Sequence, residues 1–223
     1  SAEPKLFRLD EIREVYGLVG AFPRTPEYWR TLEREARDSA VVVVWGGNDH
    51  NGLFLFEAAP RFDLVREDTE WFDPTAQLVP SAAVQKLFYA IPHLQECVPI
   101  LQALDKVAGC RPFLAETPPP KGDDAALRQF MTSEFGAMAQ ARGISVETAP
   151  LTHPQTRLKL WRTMRDAYKA LAADAGVEFL PLPAWVFDDV GFLKRDFWHT
   201  DATHANGAYA EGLLGHLGDR LLQ

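Results

Sequence analysis

The chain has 223 residues, 47% of them hydrophobic and 24% charged, the balance of a globular protein able to bury one sizeable core. Its net charge of −8 is spread along the chain with no basic stripe, which argues against a nucleic-acid partner. No apolar run of about 18 residues or more occurs, so no membrane span is expected, and the opening SAEPKLFRLDEI lacks the basic-then-apolar layout of a signal peptide.

Helical and strand patterns alternate, predicting an α/β fold: three layers, α/β/α, around a mostly parallel sheet, in a single domain over 1–223. Lys5 to Leu9 reads as a short strand, and Pro26 opens a helix, where its missing N–H does no harm. Ala40 to Trp45 (AVVVVW) is a continuous β-branched run, predicting a strand buried on both faces. From Gly46 to Pro92 the pattern is irregular and predicts a long loop with short helical pieces. His93 to Ala108 is helical, Arg111 to Glu116 a strand stopped by Pro118 to Pro120, and Asp123 to Ala141 a helix. Ile144 to Val146 reads equally as strand or connection.

Thr156 to Ala175 is the clearest helix, with Leu158, Trp161, Met164, Tyr168 and Leu171 on one stripe and Gly176 closing it. Val177 to Leu182 is the last strand. An irregular stretch over 183–203 leads to a final helix, Ala205 to Leu222. Cys97 and Cys110 have no ligand partner at metal spacing; free thiols fit a reducing compartment, so a cytoplasmic location is expected.

Two segments can carry chemistry. In Asp201-Ala-Thr-His204 a carboxylate three residues before a histidine can take the imidazole Nδ1–H and leave Nε2 to accept a proton from a hydroxyl. The same Asp201 could simply cap the helix that follows. Gly46-Gly47-Asn48-Asp49 directly follows the VVVVW strand, where ligands of parallel sheets bind, and the Asn48 amide can donate to a developing oxyanion. A plain turn explains that composition as well.

Taken together, the two segments resemble the SGNH/GDSL hydrolases, flavodoxin-like α/β/α domains. Gly46-x-Asn48-Asp49 is similar to the block that supplies an oxyanion-hole asparagine, and Asp201-x-x-His204 to the block that supplies the acid–base pair. The resemblance implies an ester hydrolase or O-acyltransferase working through an acyl-enzyme without a cofactor. It also implies a small-molecule or carbohydrate ester, such as a sugar acetate, as substrate. A further oxyanion donor is implied at Gly17 or Gly20, in VYGLVGAF, although a turn or helix-end glycine fits either position. Gly47, Asp49 and His50 are then expected to line the substrate. A non-catalytic carbohydrate- or protein-binding module is the alternative.

The family's Gly-Asp-Ser block is absent from these residues. Ser39 precedes its strand, Ser133 falls in a helix, Ser145 lies beside a connection, and Ser81 reads as a helix cap. The expectation is a nucleophilic serine upstream of residue 1, on a first strand missing from this chain; a degenerate relative without hydrolytic activity is the other explanation. His199 is expected to point away from Asp201 on an extended chain, and His93, His153 and His216 have no partner pattern. No HExxH or cysteine pair suggests a metal. Aromatics around 185–198 and at Trp45, Trp71 and Phe72 read as core, or as an apolar or sugar-stacking pocket.

Overall fold

A computed structural model describes residues 5–10, 15–19, 26–131, 133–141 and 143–221. An antiparallel pair comes first, β1 (Lys5–Asp10) with β2 (Val15–Val19), in which Phe7 stands opposite Gly17. Helix α1 (Pro26–Glu35) starts at its proline and leads to β3 (Ala40–Val43). The segment expected to be a long loop is more ordered than that. It holds α2 (Asp49–Phe54), β4 (Phe62–Val65), β5 (Gln77–Pro80) and α3 (Ser81–Tyr89), with β4 and β5 paired in parallel. Two short helices follow, α4 (Pro92–Gln95) and α5 (Cys97–Asp105), then β6 (Arg111–Ala115).

The helix expected over 123–141 is two, α6 (Asp124–Gln129) and α7 (Ser133–Ala141), and Asp123 Oδ1 caps the first by accepting from Ala125 N and Ala126 N. Ile144 to Val146 is connection, not strand. Helix α8 (Pro154–Ala175) matches its predicted stripe, has proline in its first turn, and is closed by Gly176 at φ 74°. Strand β7 (Glu178–Leu180) and, after two short 3-10 turns, α9 (Gly207–Leu221) complete the order.

The fold is α/β with an open, mostly parallel sheet flanked by helices, as in a three-layer α/β/α arrangement. Its central part is the parallel sheet β3-β6-β7, in register Val42 with Phe113 and Leu114 with Phe179. All three strands run the same way, so the segments 44–48, 116–121 and 181–182 leave one edge together. The AVVVV run is not buried on both faces as expected. β3 is the last strand of this sheet among the described residues; its side chains are half-buried and Val44 beyond it is 64% exposed.

The core forms where α8 covers the sheet and the helices α3 to α5. Leu158, Trp161, Met164, Tyr168 and Leu171 pack with Leu64, Phe88, Leu94, Leu101 and Leu114, each such side chain contributing roughly 1.5–3 kcal/mol by leaving water. The same helix buries a lysine against a carboxylate that is itself well partnered. Lys159 Nζ lies 2.8 Å from Asp63 Oδ2, and Asp63 also accepts from Thr156 Oγ1, Leu64 N and Asp73 N. A second cluster joins Leu55 and Phe56, at the end of α2, to Leu127, Phe135, Ala139 and Ala202. Ala202 seats the Asp201–His204 segment against the element that follows Asn48.

Candidate functional site

The loop after β3 turns sharply at two glycines, φ 58° at Gly46 and φ 117° at Gly47. Any side chain at Gly47 would meet Thr117, the second residue beyond β6, at 2.9 Å. Asn48 follows at the start of α2. Its Oδ1 accepts from Asn51 Nδ2 at 2.9 Å, which aims Nδ2 outward to donate to Thr203 Oγ1 at 3.0 Å. The two motif segments, 155 positions apart in the chain, therefore meet directly.

Asp201 is the hub of the second segment. Its Oδ1 accepts Thr203 N at 2.9 Å and His204 N at 2.7 Å, and its Oδ2 lies 3.0 Å from His204 Nδ1. Asp201 thus partners the histidine and closes a local turn, but it does not cap the helix that follows. The helix start itself is held by Asn206, whose Oδ1 accepts Tyr209 N at 3.1 Å. Burial alone would raise the Asp201 carboxyl; the hydrogen bonds from His204 and Thr203 outweigh it and hold the group well below the usual carboxylate range.

Lys121, at the end of the proline run after β6, carries no motif in the sequence, yet it fixes the 199–201 backbone. Its buried Nζ donates to His199 O at 2.8 Å and to Asp201 O, and stands 3.8 Å from Asp201 Oδ1. Burial lowers the Lys121 ammonium to about 8, with Asp201 pulling the other way.

Three expectations are corrected here. His199 does not point away: Trp198 bridges Ala205 and His199 N donates to His204 O at 3.1 Å, folding 199–204 into a tight turn that brings His199 Nδ1 to 2.8 Å from Asp201 Oδ2. His50 is not available to a substrate, being 2% exposed beneath the loop. His93 has a partner, Asp49, at 2.7 Å from Nε2 to Oδ1, and Trp45 Nε1 holds the His93 carbonyl at 2.7 Å. Asp49 Oδ1 is therefore engaged by His93, while its buried Oδ2 has no hydrogen-bond partner among the described residues.

Gly17 lies within β2, in a sheet separate from β3-β6-β7, and not at a turn or helix end; Gly20 lies outside the described residues. Trp185, Phe187, Phe197 and Trp198 pack against the main core, with Trp185 on Phe197 at 5.3 Å and Phe197 on Tyr209 at 6.2 Å, so core packing accounts for them. Trp71 stacks on His153 at 4.3 Å. His153 also borders a small cavity with Glu57, Arg61 and Asp73, apart from the Asn48–His204 residues.

The serines with described side chains, Ser39, Ser81 and Ser145, do not contact His204. Ser39 donates to Arg37 O at 3.0 Å at the opposite end of β3, Ser145 contacts Glu147, and Ser81 is the first residue of α3 rather than its cap. Burial pushes the Cys97 thiol up to about 11 and the Cys110 thiol upward too, which disfavours the thiolate at either position. Among the described residues no group of three or more metal-ligating side chains converges, and no helix is long and apolar enough to cross a membrane. No protein-family model and no curated protein matches the chain.

Proposed function

We propose that the chain carries the acid–base and oxyanion side of an ester-hydrolysing or O-acyl-transferring site of SGNH/GDSL type. The observation that supports it most is the hydrogen bond from Asn48 Nδ2 to Thr203 Oγ1, because it sets an amide donor beside the turn in which Asp201 orients His204. In this reading His204 Nε2 takes the proton of a serine hydroxyl as that oxygen attacks the ester carbonyl. Asp201 stabilises the imidazolium, and the second Nδ2 hydrogen of Asn48 faces the oxyanion. His204 then returns the proton to the departing alcohol, and water or another alcohol releases the acyl group by the same steps in reverse order. The serine belongs outside the described residues, and a carbohydrate acetate is the proposed substrate class.

A non-catalytic binding module is favoured instead by one observation. Among the described side chains, no serine hydroxyl is in hydrogen-bond contact with His204. Fluorophosphonate labelling and p-nitrophenyl acetate hydrolysis by the purified protein separate the two. Labelling with turnover that His204→Ala abolishes supports the enzyme; no labelling, with turnover indifferent to His204→Ala, supports the binder.

A further inference from the structure

Two imidazoles share one carboxylate oxygen in the 199–204 turn. His199 Nδ1 stands 2.8 Å and His204 Nδ1 3.0 Å from Asp201 Oδ2, while Oδ1 is occupied by two backbone N–H groups. An ionised carboxylate only accepts hydrogen bonds, so both rings bring Nδ1–H to it and both keep a lone pair on Nε2. Packing does not explain the convergence: the His199 and His204 side chains are 55% and 66% exposed, whereas Asp201 is 14% exposed.

We propose that His199 is a positioning residue for His204, acting through Asp201: it locks the carboxylate and shares its charge, so that the two rings bind protons as one coupled pair. Its catalytic consequence rests on the acyl-transfer reading; the pairing itself does not. A proton arriving on either Nε2 makes that ring cationic beside the shared oxygen, and a second proton on the other ring then faces a like charge across a single carboxylate. With His199 removed, the whole Oδ2 charge falls on His204, and the opposing cation is gone. Both changes have the same sign, and His204 holds its proton to higher pH. The other charges near the turn stay in place: Lys121 is 3.8 Å from Oδ1, and Arg195 pairs with Asp123 at 3.0 Å.

The test is histidine 15N NMR titration of the full chain and of its His199→Phe, His199→Asn and His204→Phe variants, with p-nitrophenyl acetate hydrolysis measured in parallel. Expected are Nδ1–H tautomers for both rings, and a His204 titration displaced upward in His199→Phe. The acid limb of kcat/KM moves the same way. The Asn variant, whose amide can still donate to Oδ2, retains kcat within a few-fold of the parent, while His199→Phe loses about tenfold or more. A His204 titration indifferent to His199→Phe, or an Nε2–H tautomer on His199, overturns the pair. Coupled titrations with hydrolysis unaffected by every variant leave the pair standing and overturn the acyl-transfer reading instead.

Discussion

Asn48 donates through Nδ2 to Thr203 Oγ1 at 3.0 Å, and that contact ties the loop after β3 to the turn that precedes α9. The bond spans two segments with separate backbone anchors, so its energy is measurable as a coupling. Asn48→Ala and Thr203→Val each remove one partner, and each is expected to lower stability by about 1 kcal/mol. The double variant should lose less than the sum, leaving an interaction energy of about 0.5–1.5 kcal/mol in a urea-denaturation cycle. Strict additivity would mean the two segments do not touch in solution.

Under the proposed acyl-transfer reading, the same Asn48→Ala variant is expected to have a second, larger effect on hydrolysis. An oxyanion donor acts where charge develops in the transition state, so its loss lowers kcat about 100- to 1,000-fold with little change in KM. The fall far exceeds what the stability change could produce. Steady-state kinetics on p-nitrophenyl acetate, normalised to the folded fraction, checks it; unchanged kcat would remove Asn48 from the chemistry.

The parts of this arrangement that the sequence disclosed were those with strong local periodicity or strict spacing. The stripe from Leu158 to Leu171 is a helix face, and Asp201 reaches His204 because three residues of turn suffice. Strands β4 and β5 escaped because FDLV and QLVP are four residues each, one with a buried Asp63 and the other largely exposed. Their pairing with each other is a tertiary fact. His50 read as a substrate-lining residue because Gly-Gly-Asn-Asp is turn composition, and nothing local records that its ring is buried. Lys121 left no trace either, since a buried lysine is recognisable only by the carbonyls that surround it.

Gly47→Ala probes the sharp bend that delivers Asn48. At φ 117° an L side chain is strained whatever the space, and its Cβ would stand 2.9 Å from Thr117 Cγ2. Thr117 has little room to yield, because its carbonyl accepts Trp161 Nε1 at 3.1 Å. A loss of about 1–3 kcal/mol is expected. Thermal unfolding of the parent and of Gly47→Ala measures it, and Gly52→Ala, where an added Cβ meets nothing within 4 Å, is the control expected to stay close to parental stability.

Lys121→Met tests whether the turn is held from below. Methionine fills a similar volume but leaves the His199 and Asp201 carbonyls without their shared donor. The expected cost is about 1–3 kcal/mol, together with faster amide exchange at Thr203 and His204, whose N–H groups depend on Asp201 staying in position. Hydrogen exchange that is unchanged at those two amides would show that the turn holds its shape alone.

His50 gives the fold a pH dependence whose sign follows from its burial. Both ring nitrogens lack a hydrogen-bond partner among the described residues, and desolvation, reinforced by the Arg157 charge, lowers the group from 6.5 to about 3. Between those values the unfolded chain binds a proton that the folded chain refuses, so the stabilising contribution is complete above pH 6.5 and is lost as the pH falls towards 3. Moving from pH 7 to pH 5 should remove about 2 kcal/mol through this residue. His50→Leu forfeits no hydrogen bond, so its urea midpoint at pH 7 should stay near the parental one while its loss on acidification shrinks by that amount. Parent and variant with parallel stability curves from pH 7 to pH 5 would place the acid sensitivity elsewhere.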